Sequence, residues 1–168
     1  MIVIAGIPIP SDNPAFLSIL VVHIAAGVVC SVAGVVAMTS RKARGRHPLA
    51  GSIYYWSLSV VFVSMAMLSV SRWTEDYDLF GLGIASFVAA SVGRHARRLR
   101  WRNWARFHVA GMGISYILLV TAFYVDNGKS LPLWRDLPQV TFWLFPSAVG
   151  LPIILYALRR HPIPRQKT

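Results

Sequence analysis

Five stretches of the chain contain no Lys, Arg, Asp or Glu: Asn13–Ser40, Pro48–Ser71, Leu79–Gly93, Phe107–Val125 and Leu137–Leu158. A bilayer core of about 30 Å takes roughly 20 helical residues at about 1.5 Å each. Four of the runs meet that length or come close. The third is short and is expected to extend into Tyr77 or Arg94, whose side chains reach the interface. Backbone groups cannot stay unpaired in hydrocarbon, so all five should be helices. The pattern therefore predicts an all-α fold: a polytopic membrane helix bundle of about five transmembrane helices, with spans at 14–38, 49–70, 78–94, 106–125 and 138–158. Residues 1–12 are expected on the outer surface and 159–168 as a cytoplasmic tail.

Composition agrees. The chain has 168 residues and a mean hydropathy of +0.54, which suits one bundle better than several water-soluble domains. Its net charge of +11 would suggest nucleic acid, but the distribution does not. Arg41–Arg46 carries four positive charges, Arg94–Arg106 six and Arg159–Lys167 four, and five crossings put all three on one side. The other side holds all six acids (Asp12, Glu75, Asp76, Asp78, Asp126 and Asp136) with Arg72, Lys129 and Arg135, which makes +14 against −3. The positive-inside rule then orients the N-terminus outside and the C-terminus in the cytoplasm, as for a multi-pass protein of a bacterial inner membrane. No soluble domain presents the basic residues to nucleic acid. The partners this predicts are membrane lipids, with anionic headgroups at Arg41–Arg46 and Arg94–Arg106, and a membrane-protein partner or homo-oligomer remains open.

Loops are short and no internal repeat stands out. Cys30 is a lone cysteine within the first span, so it has no intrachain disulfide partner. Met1–Pro10 lacks the basic start of a signal peptide, and Pro8 and Pro10 disfavour a helix there. Several tryptophans fall near span ends, as an aromatic belt requires. Arg94–Arg106, with Trp101 and Trp104 interleaved, reads either as a helix lying on the headgroups or as an extension of the third or fourth span.

Residues three, four and seven apart share a helix face. His23, Gly27, Cys30, Gly34 and Ala37 form one stripe, continuing to Arg41. His108, Gly111, Ser115, Leu119, Ala122 and Asp126 form another. Small residues allow close approach of helices in lipid, so the two stripes are expected to face each other or a shared cavity. An ionisable residue within a span is a functional candidate. His23 lies about 13 Å below the outer end of its helix, near mid-membrane. The alternative is a neutral histidine bonded to Ser, Tyr or a carbonyl, serving packing alone. His47, His95 and His108 all map to the cytoplasmic side and are weak candidates for a transition metal, since their spacing matches no metal motif. His108 is equally suited to bonding a loop carbonyl. A haem bridging His23 and His108 faces a height difference on the order of 10–15 Å. His161 falls in the tail and is expected to be solvated. Pro146 and Pro152 free backbone carbonyls in the fifth span, which suits either a kink or the broken helix of a transporter.

No His-Glu-x-x-His, Cys-x-x-Cys, Gly-x-Ser-x-Gly or phosphate-binding loop occurs, and no acid lies deep in a span. Gly81-Leu-Gly83 and Gly111-Met-Gly113 sit in apolar spans and read as packing glycines. His23-Ile-Ala-Ala-Gly27, the loop Arg41-Lys-Ala-Arg-Gly-Arg-His47, Gly51-Ser-Ile-Tyr54, His108-Val-Ala-Gly-Met-Gly-Ile-Ser-Tyr116 and Thr121-Ala-Phe-Tyr-Val-Asp-Asn127 together resemble the domain-of-unknown-function 2306 family of bacterial multi-pass membrane proteins. The likeness runs from His23 to Pro152. It implies the same architecture and adds no reaction.

Three functions compete. In the first, His23, Ser115, Tyr116 and Tyr54, with His108, line a cavity open toward Asp126 and bind or move a small ligand, with proton linkage through histidine. In the second, histidines hold haem or a metal in a redox subunit. In the third, the bundle is structural and packs against a partner. A membrane-embedded hydrolase ranks lowest because no nucleophile–base pair can be assembled.

Overall fold

The computed structural model describes residues 2–4, 7–9, 13–41, 45–70 and 73–160, the first two segments by backbone alone. His161 and the tail to residue 168 lie outside the described residues. Among the described residues five helices carry the fold: α1 (Pro14–Thr39), α2 (Arg46–Val70), α3 (Trp73–Arg98), α4 (Trp104–Asn127) and α5 (Gln139–Arg160). All five are long and apolar enough to cross a membrane, so the chain is a multi-pass membrane protein with an all-α bundle architecture. Before α1, β1 (Ile2–Ile4) and β2 (Ile7–Ile9) pair antiparallel with Val3 opposite Pro8. Proline has no N–H to give a ladder, but a two-stranded one is all edge and tolerates it.

The helix ends follow from local chemistry. Asn13 caps α1 by accepting the Ala15 N–H at 2.9 Å, with Pro14 at the first helical position. Both ends of α3 run past the expected 78–94 span. Glu75 and Asp76 occupy its first turn and His95, Arg97 and Arg98 its last, each sign matched to the helix dipole. The Arg94–Arg106 segment is accordingly the end of α3, a tight turn and the start of α4, and no separate surface helix forms there. α5 is continuous through Pro146 and Pro152, so it is not a broken transporter helix.

The chain divides into two compact units, Met1–Gly81 and Leu82–Thr168. In the first, α1 and α2 form an antiparallel hairpin. Cys30, Ala33 and Gly34 of α1 and Ala50, Tyr54, Leu58, Val61 and Ser64 of α2 are buried between them. The opposite face of α1 is apolar and open, with Val21 65% exposed. That arrangement costs nothing in lipid and would be unsupportable in water.

In the second unit α3 and α4 meet backbone to backbone. A Cβ placed on Gly111 would lie 2.6 Å from the Ala89 carbonyl oxygen and 2.8 Å from the Gly93 nitrogen. α4 also packs on α5, where Gly150 receives Ile117 and Gly113 receives Ile154. The α4–α5 connection is ordered. Gly128 accommodates the Phe142 ring, which is 1% exposed, and Tyr124, Trp134 and Phe145 form a ring cluster with centroids 5.0–5.8 Å apart. Lys129 Nζ donates to the carbonyls of Leu137 at 2.6 Å and Arg135 at 3.2 Å.

Two glycines of the sequence stripes therefore differ. Gly111→Ala should destabilise by roughly 1–3 kcal/mol, because a methyl group would press on fixed backbone. Gly27→Ala meets nothing within 4 Å and should fall within about 0.5 kcal/mol of the parent. Unfolding of the two variants in lipid or mild detergent checks the contrast, and equal effects would contradict it.

Candidate functional site

Each polar side chain within a span has to find its partner inside the protein. Most hydroxyls fold back onto their own helix, as Ser18 does to the Pro14 carbonyl (2.8 Å), Ser59 to Tyr55 (2.9 Å) and Thr121 to Ile117 (2.8 Å). The informative bonds are those that cross between helices.

In the first unit, His23 Nδ1 lies 3.0 Å from Ser64 Oγ. Ser64 has one hydroxyl hydrogen, and its oxygen stands 2.7 Å from the Val60 carbonyl, which can only accept. The hydroxyl hydrogen points there, so the serine oxygen accepts from histidine and His23 carries its hydrogen on Nδ1. Deeper along the same interface the Cys30 thiol donates to the Tyr54 carbonyl at 3.6 Å, beside a Tyr54 side chain that is 2% exposed. Near the turn, His47 Nδ1 donates to the Ala37 carbonyl at 2.8 Å.

Ser64 also lines an open groove of about 530 Å³ running along α1 and α2. Ile19, Val22, Trp56, Val63 and Met67 make most of its wall. Three serines contribute as well, Ser18, Ser59 and Ser64, but each turns its hydroxyl hydrogen toward a carbonyl of its own helix. The groove is thus apolar in effect, and Ser64, itself buried, is the wall residue that also bonds His23.

In the second unit, Ser86 Oγ donates to the Ser115 carbonyl at 2.9 Å and stands 3.2 Å from Ser115 Oγ, both serines being buried. His108 Nδ1 donates to the Gly93 carbonyl at 3.0 Å. The acceptor belongs to α3, so the expectation of a loop carbonyl is corrected: the histidine joins two helices. Tyr116 is half-buried on α4. Asp126 is exposed at the far end of α4 and accepts the Asn127 side-chain amide at 3.1 Å. His95 is exposed and bonds its own helix at the Ser91 carbonyl, 2.8 Å away.

The residues singled out from sequence therefore divide between the units. His23 and Tyr54 belong to the first, and His108, Ser115, Tyr116 and Asp126 to the second. Among the described residues no group of three His, Cys, Asp or Glu side chains that could hold a metal ion is found. His47, His95 and His108 each use Nδ1 on a helix carbonyl. Sequence reading missed Ser64, Ser86 and the acceptor carbonyl of Gly93. A signal for them existed: in an antiparallel hairpin, contacting residues stand about equally far from the turn. Counting outward from Arg41–Arg46 pairs His23 with the neighbourhood of Ser64, and counting from the α3–α4 turn pairs Ser115 with Ser86.

Compared with known proteins, the chain matches no family model, no curated protein and no solved structure. The functional reading rests on the geometry of the two units.

Proposed function

We propose that this protein is a small-ligand binding or transport bundle of a bacterial inner membrane, with a proton-linked site at His23. The observation that carries the reading is the double role of Ser64, which lines the α1–α2 groove and accepts the His23 Nδ1 hydrogen. A groove with these walls suits a ligand with an apolar body. Histidine titrates near neutral pH. A protonated ring still donates from Nδ1, so the bond to Ser64 outlasts a change of charge. The ring then becomes a cation beside an apolar groove, an arrangement that disfavours an uncharged occupant. Ligand occupancy should therefore fall as pH is lowered through the titration of the ring.

The proposed orientation has the N-terminus outside. Within the second unit, Arg97, Arg98, Arg100, Arg102 and Arg106 gather at one end of α4, while Asp126 and Asp136 lie at the other. That asymmetry supports a cytoplasmic α3–α4 turn under the positive-inside rule.

A second reading has its own observation. His23, His47 and His108 each bond across to the neighbouring helix, which also suits a structural membrane protein whose histidines pin its hairpins. Haem and metal chemistry would draw on the same rings, and no assembled donor set among the described residues favours it.

Native mass spectrometry of the full chain released from micelles separates these readings. The binding account expects a small apolar adduct whose retention falls at acid pH. His23→Leu should weaken it by up to about tenfold and remove the pH dependence, and Ser59→Trp, which fills the groove, should lose it. A folded His23→Leu protein that keeps the adduct with unchanged pH dependence contradicts the account. Orientation is checked by cysteine labelling of intact cells: Leu133→Cys, at a site 91% exposed, should react from outside and Arg102→Cys should not, the reverse pattern inverting the topology.

A further inference from the structure

The tip of the α3–α4 hairpin concentrates charge and apolar surface in one place. α3 ends at Arg98 and α4 begins at Trp104, both being candidate membrane spans, so the turn between them lies at a membrane face. The turn is closed by its own backbone. The Trp101 N–H reaches back to the Ala96 carbonyl at 3.1 Å with Arg100 left-handed at φ 50°, the pattern that terminates many helices. Asn103 is left-handed at φ 63°, and its carbonyl accepts from Arg106 at 2.9 Å and Phe107 at 3.3 Å. Arginine at a position where glycine is the easier choice places a guanidinium at the apex of a fixed turn.

Around this apex Arg97, Arg98, Arg102 and Arg106 are also exposed. No acid occurs between Leu82 and Arg106, and the acids of this unit, Asp126 and Asp136, lie toward the opposite end of α4. Interleaved with the arginines are exposed apolar side chains: Leu99 at 63%, with Trp101, Trp104 and Phe107. Trp101 and Phe107 meet edge to face at 5.9 Å.

We propose that this tip is a docking surface for anionic phospholipid headgroups of the leaflet it faces. The phosphodiester supplies the charge that the tip lacks. Guanidinium groups match phosphate oxygens in a bidentate fork and are more weakly hydrated than ammonium groups. Leu99 and the two indoles belong at the boundary between headgroups and acyl chains, where one end of an indole is apolar and the other wet. A nucleic acid would answer the charge equally well but would leave those apolar groups in water. Free phosphate would make no use of them.

The test uses the full chain in micelles carrying equal amounts of phosphatidylglycerol and phosphatidylcholine, with bound lipids counted by native mass spectrometry. The wild type should retain phosphatidylglycerol in clear excess. Arg98→Gln/Arg100→Gln/Arg102→Gln should lower the preference by roughly fivefold per arginine until it reaches parity, while lysine at the same three positions should keep most of it. Arg135→Gln, at the other end of the unit, should leave it unchanged. Arg102→Gln alone serves if the triple variant does not fold. Equal retention of the two lipids by the wild type, or full preference in a folded glutamine variant, overturns the proposal. So does displacement of the lipid by inorganic phosphate, which would indicate a free-anion site, or by a short single-stranded oligonucleotide, which would indicate a nucleic-acid surface.

Discussion

A polar group in hydrocarbon has only the protein to bond with, and that constraint organises this molecule. It makes the five apolar stretches helical, because a helix satisfies its backbone within itself. It turns serine and threonine hydroxyls back onto their own carbonyls. It drives the remaining donors across to a neighbouring helix, and among the described residues no buried side-chain nitrogen or oxygen is left without a partner. Each such bond fixes the rotation and register of a helix pair that apolar surface alone would not fix, since lipid tails compete equally for that surface.

The two hairpins meet the constraint in parallel ways. In both, a histidine near the start of the second helix donates from Nδ1 to a carbonyl near the end of the first: His47 to Ala37, and His108 to Gly93. In both, a small polar side chain deeper in the interface makes a second bond to a carbonyl of the facing helix, Cys30 to Tyr54 and Ser86 to Ser115. In both, a turn rich in basic residues precedes the histidine. The sequence shows no obvious repeat because the device needs only a donor, small neighbours and a turn at the right distance. The identities of the other residues are left open.

How much of this was readable in advance follows from where each property is encoded. The five spans were legible in the absence of charge. The length of α3 was not, because Glu75, Asp76, Arg97 and Arg98 look like span limits and instead stabilise the ends of a longer helix. His23 stood out as an ionisable group at depth, but Ser64 did not, since serine in an apolar helix is unremarkable until the register of the pair is counted. The acceptors of His47 and His108 are backbone carbonyls, which no residue type announces. A ring held at Nδ1 by a carbonyl still offers Nε2 to a ligand, so those bonds show how the histidines are oriented and leave their other nitrogen to be read by experiment.

What distinguishes His23 is that its acceptor is a side chain which also faces a groove, so its protonation state bears on whatever occupies that groove. The direction of the His23–Ser64 bond is thus the claim on which the functional account turns. Nitrogen NMR of histidine-labelled full chain in lipid vesicles, with the His23 signals assigned by their loss in His23→Gln, reads it directly. At neutral pH the account predicts a neutral ring with its hydrogen on Nδ1. A neutral ring with its hydrogen on Nε2 would reverse the bond and contradict the account.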